Sequence, residues 1–390
     1  MVALRGDGEE KTDGDFWDWW DSWGRGCRRY WEEWVGYTSG NRLDCGEENV
    51  VKVLLTGSEG YIGAVLRDQL LARGHGVTGL DTGFFNGCDL GEAPTPIPLI
   101  QRDLRDVALE DFAGMDAVVH LAALSNDPLG NLAPGLTEEI NTGGSLRVAE
   151  MAKKAGVQRF IFASSCSLYG QGAALGLTEE AEANPQTPYA KSKIDFERAL
   201  SSMASDSFSP TSMRNATAFG FSPRLRFDIV VNNLCGWAFT TGKIAMTSDG
   251  SPWRPLVHVR DISKAVVCAL EAPREAVHDQ AFNVGSTANN LQIRDVAYKV
   301  QAQMPNCEVT FGNSDGDTRT YNVDFTKIET RLPGFVRADV SVDDAITELL
   351  GAFKRLSLQE PDFSGRLYTR LKQIKYLQES GKIDEKLRWV

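Results

Sequence analysis

The chain lacks several things that would assign it to large classes of protein. No apolar run approaches the roughly 18 residues that a membrane-crossing helix needs. No basic surplus exists: 41 Lys and Arg stand against 53 Asp and Glu, a net charge of −12. That balance argues against nucleic acid or an anionic membrane as a partner, because both select basic surfaces. The seven cysteines are scattered and never spaced as CxxC, which fits reduced thiols rather than a disulfide framework. Only four histidines occur and none pairs at i, i+4 with a carboxylate on a helix, so no metal site is expected. The first residues show no apolar stretch between a basic start and small residues, so no secretory leader is read there, and a cytoplasmic location is expected.

What is present is ordinary globular composition, 42% hydrophobic and 24% charged over 390 residues, enough for two or three structural units. Residues 1–49 differ from the rest: six of the nine tryptophans fall between Trp17 and Trp34. This stretch carries no chemical motif and is expected to be a poorly ordered extension. From Val50 onward, short β-branched runs alternate with helical segments. VVKVLLTG, HGVTGLD, DAVVHLAA and RFIFASS read as strands, and DLRDVALEDFAG as a short helix. Such alternation predicts an α/β fold, a doubly wound parallel sheet with right-handed crossovers. The reading assigns 50–220 to a dinucleotide domain, with 257–290 returning to it. Residues 221–256 and 291–365 form a smaller C-terminal α/β domain for substrate. A helical tail, 366–390, places Leu367, Leu371, Ile374 and Leu377 on one stripe that packs on the body or on a second subunit.

Four motifs carry chemistry. Thr56-Gly57-Ser58-Glu59-Gly60-Tyr61-Ile62-Gly63 follows a strand and opens a helix. Gly57 suits the tight turn, Gly60 the approach of a pyrophosphate and Gly63 close helix–strand contact, a Rossmann-type fingerprint. Asp81 ends the next strand, 18 residues after Gly63. A carboxylate there accepts both ribose hydroxyls and repels a 2′-phosphate, so NAD is favoured over NADP. Asp103 sits where a carboxylate could meet the adenine amino group. Tyr189 and Lys193, in PQTPYAKSK, share one helical face behind the Thr187-Pro188 start. The ammonium favours the phenolate, making Tyr189 a base near neutrality. Ser165, in SSCSLYG at a strand's carboxyl end, can hydrogen-bond the oxygen being oxidised, with Ser164 and Ser167 as supporting hydroxyls.

Together these residues resemble the extended short-chain dehydrogenase/reductases, specifically the NAD-dependent epimerase/dehydratase group that acts on nucleotide sugars. The resemblance runs from about Val51 to Phe353. It also rests on HLAA (120–123), Asn141, RPLVHVRD (254–261) and GDTRTYNVD (316–324). It implies Ser165, Tyr189 and Lys193 as catalytic residues. The cofactor lining it implies comprises the glycine loop with Tyr61 and Ile62, Asp81, Asp103, Leu104, Leu121, Ala122, Ala123, Tyr189 and Lys193. Asn233, Leu234, Arg254 and Arg319 look like contacts to a nucleotide diphosphate, while Ser125 and Asn126 could bond sugar hydroxyls. The family expectation is a homodimer. Two departures stand out. Thr217 occupies the position of the asparagine in N-x-x-G, and Cys166-Ser167 stand where the 4,6-dehydratases carry Asp-Glu. Elimination of water therefore lacks its acid and base. The expected activity is epimerisation of a nucleotide-diphosphate sugar at C4. A net NAD-dependent dehydrogenase would carry the same Ser–Tyr–Lys set, so that alternative stays open at this level, as does a non-enzymatic NAD-sensing scaffold.

Overall fold

The computed structural model describes residues 50–91, 93–125, 133–170, 176–313 and 319–390. The tryptophan-rich segment and Asn126, with the readings placed on them, lie outside the described residues. Val51–Val390 form one compact unit. It begins with β1 (Lys52–Thr56), α1 (Tyr61–Ala72), β2 (Gly76–Asp81) and the short β3 (Leu99–Gln101). The alternation continues through β4 (Ala117–His120), α2 (Ser145–Lys154), β5 (Arg159–Ser165), α3 (Pro188–Ser202) and β6 (Ser209–Asn215). Next come β7 (Thr217–Phe219), α4 (Val230–Thr241), β8 (Lys243–Met246), β9 (Trp253–His258) and α5 (Val259–Glu271). β10 (Gln280–Val284), β11 (Asn290–Gln292), α6 (Ile293–Gln303), β12 (Glu308–Phe311), α7 (Val342–Arg355) and α8 (Arg370–Glu379) follow, with shorter helical turns between them.

Seven strands form one parallel sheet in the order β10-β6-β5-β4-β1-β2-β3. The strand order reverses between β1 and β4, the place where such sheets open a ligand crevice. Side-chain alternation explains why both faces are covered. Val53, Leu55, Ala117, Val119 and Ile161 enter one core with α1 and α5. Leu54, Val118, Phe160 and Phe162 enter the opposite core with α2 and α3. Period-2 geometry permits this only when every second residue is apolar on each face, hence the near-continuous apolar runs.

Two strands escaped the apolar pattern. β6 reads SPTSMRN, yet it is buried throughout. It is held between β5 and β10, with the Thr211 hydroxyl donating to the Val277 carbonyl at 2.8 Å. β3 is three residues long. The expected short helix over DLRDVALEDFAG is two 3-10 turns, Leu104–Asp106 and Leu109–Phe112. Asp103 and Asp111 accept from the nearby main-chain N–H groups of Arg105 and Ala108, offering the backbone an alternative to continuous helix. A further core joins α4, α6 and α7 through Val231, Leu234, Val300, Ile346 and Phe353. β11-β9-β7 and β12-β8 form the two small sheets.

Candidate active site

The glycine loop lies at the carboxyl end of β1. Gly57 takes φ +73°, and a Cβ there would meet the Ala122 nitrogen at 2.8 Å. A Cβ on Gly63 would run into the Gly57 carbonyl, so α1 can start this close to the strand only with glycine. No side chain caps the N-terminus of α1, and its first N–H groups have no intrahelical acceptor. The cradle thus has the shape and polarity that the pyrophosphate of NAD requires. Tyr61 is the first residue of α1. Its ring is buried and its hydroxyl donates to the Gly220 carbonyl at 2.7 Å, stapling the loop to the second half of the chain.

Asp81 closes β2. Its two oxygens accept the Glu59 N–H (3.1 Å) and the Gly83 N–H (2.8 Å). Burial pushes its carboxyl up, and the two amides only partly offset this. A carboxylate has about four lone-pair sites, so two ribose hydroxyls can still be accepted. Asp103 is engaged by Arg105, whose Nη2 and Nε approach at 2.7 and 2.9 Å, and by Arg388 at 3.6 Å. Burial opposes its ionisation, but Arg105 outweighs it and holds the carboxyl below the usual range. An adenine contact from Asp103 must therefore use a remaining lone pair. The Leu104 side chain enters the sheet core. Leu121 and Ala122 sit opposite the glycine loop, their N–H groups donating to the Thr56 carbonyl (3.2 Å) and hydroxyl (3.3 Å), with Ala123 following.

Helix α3 begins where the sequence places it. Thr187 Oγ1 accepts the Ala190 N–H at 3.2 Å and Pro188 takes the first helical position. Tyr189 and Lys193 then share a face, with Lys193 Nζ 5.5 Å from the centre of the Tyr189 ring. The ammonium also stands 4.7 Å over the Phe162 ring and donates to the Ala163 carbonyl at 2.7 Å. Burial brings Lys193 down to about 7. The Ala163 contact ties α3 to β5 two residues before Ser165. Ser165 Oγ accepts the Ser167 N–H at 3.2 Å. Its own O–H is not used in that bond.

Ser164 turns away from this group: its hydroxyl donates to Glu197 at 2.8 Å, and Glu197 is ion-paired with Arg214. The Cys166 thiol donates to the Arg214 carbonyl at 3.0 Å, and burial pushes it far up. Burial and this bond both keep it a protonated thiol, which opposes its acting as a base. Asn141 lies in a π-helical turn, Glu138–Gly144. Its amide clamps Leu124 N (2.8 Å) and Leu124 O (3.2 Å) and reaches Ser192 Oγ (3.2 Å), joining the loop after β4 to α3.

Ser125, from that loop, accepts from Arg226 Nη1 at 3.2 Å. Arg226 is buried and grips Asp228 through two bonds of 2.8 and 2.9 Å. Arg226 lies 101 residues from Ser125, and only the polar composition of SPRLRFD pointed to its loop. Asn233 donates to the Phe227 carbonyl at 2.7 Å, and Leu234 enters the core of the second half. Arg254 is brought to Arg319: its Nη1 donates to the Arg319 carbonyl and, at 2.9 Å, to Trp253 O, with the guanidinium 5.4 Å from the Tyr321 ring.

Known proteins share this fold and part of this sequence. The family model of the NAD-dependent epimerase/dehydratase family matches residues 53–285. UDP-glucose 4-epimerase of Corynebacterium glutamicum is 30% identical over 251 residues, which is 60% of this chain and 75% of that protein. The structure of UDP-glucose 4-epimerase of Thermus thermophilus in complex with NAD superposes with a TM-score of 0.65 at 25% identity, covering 78% of this chain and 99% of the other. An NAD-dependent NDP-hexosamine 5,6-dehydratase of tunicamycin biosynthesis shares the fold, with a TM-score of 0.69 at 23% identity, covering 78% of this chain and 98% of the other.

Proposed function

Since this chain belongs to the NAD-dependent epimerase/dehydratase family, we propose that it epimerises a nucleotide-diphosphate sugar at C4, through a transient keto sugar. The observation that carries the reading is the Tyr189–Lys193 face, which Lys193 ties to β5 two residues before Ser165. NAD supplies the hydride acceptor, and then the donor, that such chemistry needs.

The protein's own groups do the rest. Tyr189 takes the proton of the C4 hydroxyl and later returns it to the keto oxygen. Ser165 donates a hydrogen bond to that oxygen and fixes it toward the phenol. Lys193, sealed against Ala163 and Phe162, faces Tyr189 with positive charge and favours its phenolate. Arg226, Asp228 and Ser125 offer a net-neutral polar edge for sugar hydroxyls. Asn233, Leu234, Arg254 and Arg319 bind the nucleotide diphosphate, a guanidinium fork being suited to phosphate oxygens. That remote grip retains the sugar while it turns its other face. The second-half core around α4, α6 and α7 is the substrate-binding part, and a cytoplasmic homodimer completes the proposal.

Cys166, buried and bonded to the Arg214 carbonyl, and Ser167 stand where elimination requires an acid–base pair, which favours epimerisation over dehydration. Incubation with UDP-glucose and no added NAD(H) separates epimerase from net dehydrogenase: many turnovers are expected, whereas arrest after one equivalent would establish the dehydrogenase. Tyr189→Phe is expected to lower kcat by about 10²–10⁴-fold while bound NAD is retained. Unchanged turnover would remove Tyr189 as the base.

A further inference from the structure

The chain after α7 has no part in the chemistry above, yet it lies along the carboxyl ends of the strands that hold the cofactor. Gln373 donates to the Phe84 carbonyl at 3.0 Å, and Trp389 Nε1 to the Thr82 carbonyl at 2.8 Å, immediately after Asp81. The Trp389 ring rests 5.6 Å from that of Phe84. Arg388 pairs with Asp103 and Asp106. Ile374, Leu377, Ile383 and Leu387 close a small core with Phe84, Leu124 and Ile140.

Arg370, the first residue of α8, is only 3% exposed. Its guanidinium stacks on Phe85 at 4.0 Å, and Nη2 donates to the Arg224 carbonyl at 3.2 Å. Nη1 is buried and has no partner. The carboxylates around it are already taken. Glu59 of the glycine loop holds Arg67 and Arg224, Asp89 holds Arg224, and Asp228 holds Arg226. A buried guanidinium with an open N–H is costly without an anion. Its place at the positive end of a helix adds to that cost. Burial and the neighbouring Arg226 already bring this guanidinium down to about 10. Asp81 and the Arg226–Asp228 pair both lie within its electrostatic reach.

We propose that residues 366–390 form an added wall of the dinucleotide site and that Arg370 binds a diphosphate, that of NAD. The inference rests on the NAD-dependent reading of the cleft. A nucleotide sugar carries the same anion, but Arg370 is joined through Arg224 and Glu59 to the glycine loop, whereas Arg254 and Arg319 serve the substrate.

The test uses the full chain, stripped of cofactor, as wild type, Arg370→Met and Arg370→Lys. NAD and UDP are titrated separately by calorimetry, and the thermal midpoint is read without ligand. Arg370→Met is expected to weaken NAD about 10- to 100-fold. It should leave UDP affinity unchanged and leave or raise the midpoint of the cofactor-free protein. Arg370→Lys should retain part of the NAD affinity. Equal NAD affinity in all three proteins would overturn the proposal. A loss confined to UDP would transfer the arginine to the substrate, and a lowered midpoint with unchanged NAD affinity would make it structural. Wild type that binds no NAD at all would remove the cofactor reading itself, and this inference with it.

Discussion

Lys193 is a residue whose charge the fold resists, and the sign of that resistance is measurable. Its pKa falls to about 7 on burial, against about 10.4 for an unfolded lysine. Between those values the unfolded chain binds the extra proton, so the cofactor-free protein gains stability as pH rises from about 7 to 10. Lys193→Met should flatten that rise in denaturant midpoints, and an unaltered slope would show that the ammonium is not burdened. Asp81 tests a different contact. With the carboxylate removed, Asp81→Ala should weaken NAD and relax discrimination against NADP, compared by fluorescence titration, while preserved preference would discard its ribose role. The Tyr189–Lys193 pair and the glycines were legible because each depends on spacing within a few residues. Arg226 with Ser125, Arg224 with Glu59, and Arg370 with Phe85 were not. They join positions far apart in the chain, and no local periodicity encodes such a partnership.

At the scale of the element, α3 shows how local chemistry sets a site. The Thr187 cap and Pro188 fix the first turn, and that turn decides where Tyr189 points. Thr187→Ala should cost about 1 kcal/mol of stability, read from a urea midpoint, with NAD affinity little changed. A loss of NAD binding instead would mean that the cap acts on the cleft directly. Strands β1, β2, β4 and β5 were readable because burial on both faces demands apolar runs. β6 was not, since its Ser, Thr and Asn side chains find partners inside the fold. Only those partners, the Val277 and Ser164 carbonyls among them, make polar residues acceptable in a buried strand. The 3-10 turns between β3 and β4 were misread for a related reason: aspartates that satisfy main-chain N–H groups mimic a helix start without continuing it. The tail's apolar stripe was visible as a pattern, yet it divides. Ile374 and Leu377 pack near Phe84, while Leu367 joins the core of the second half.

On the scale of the whole molecule, a seven-stranded sheet clothed on both faces brings the carboxyl ends of β1, β2, β4 and β5 to one edge, and the loops after β7 and the tail converge there. Residues separated by more than a hundred positions thereby meet around one cleft, which is why the fold was readable from alternation while the far wall of the site was not. None of the described helices is long and apolar enough to cross a membrane. The most direct measurement uses UDP-glucose carrying deuterium at C4, incubated with the full chain and no added NAD(H). The product should be the C4 epimer with the deuterium still on C4, because the same hydride returns to the opposite face. Deuterium lost to solvent, or a keto sugar released with one equivalent of reduced cofactor, would contradict a cleft in which Tyr189 and Lys193 serve a reversible hydride exchange.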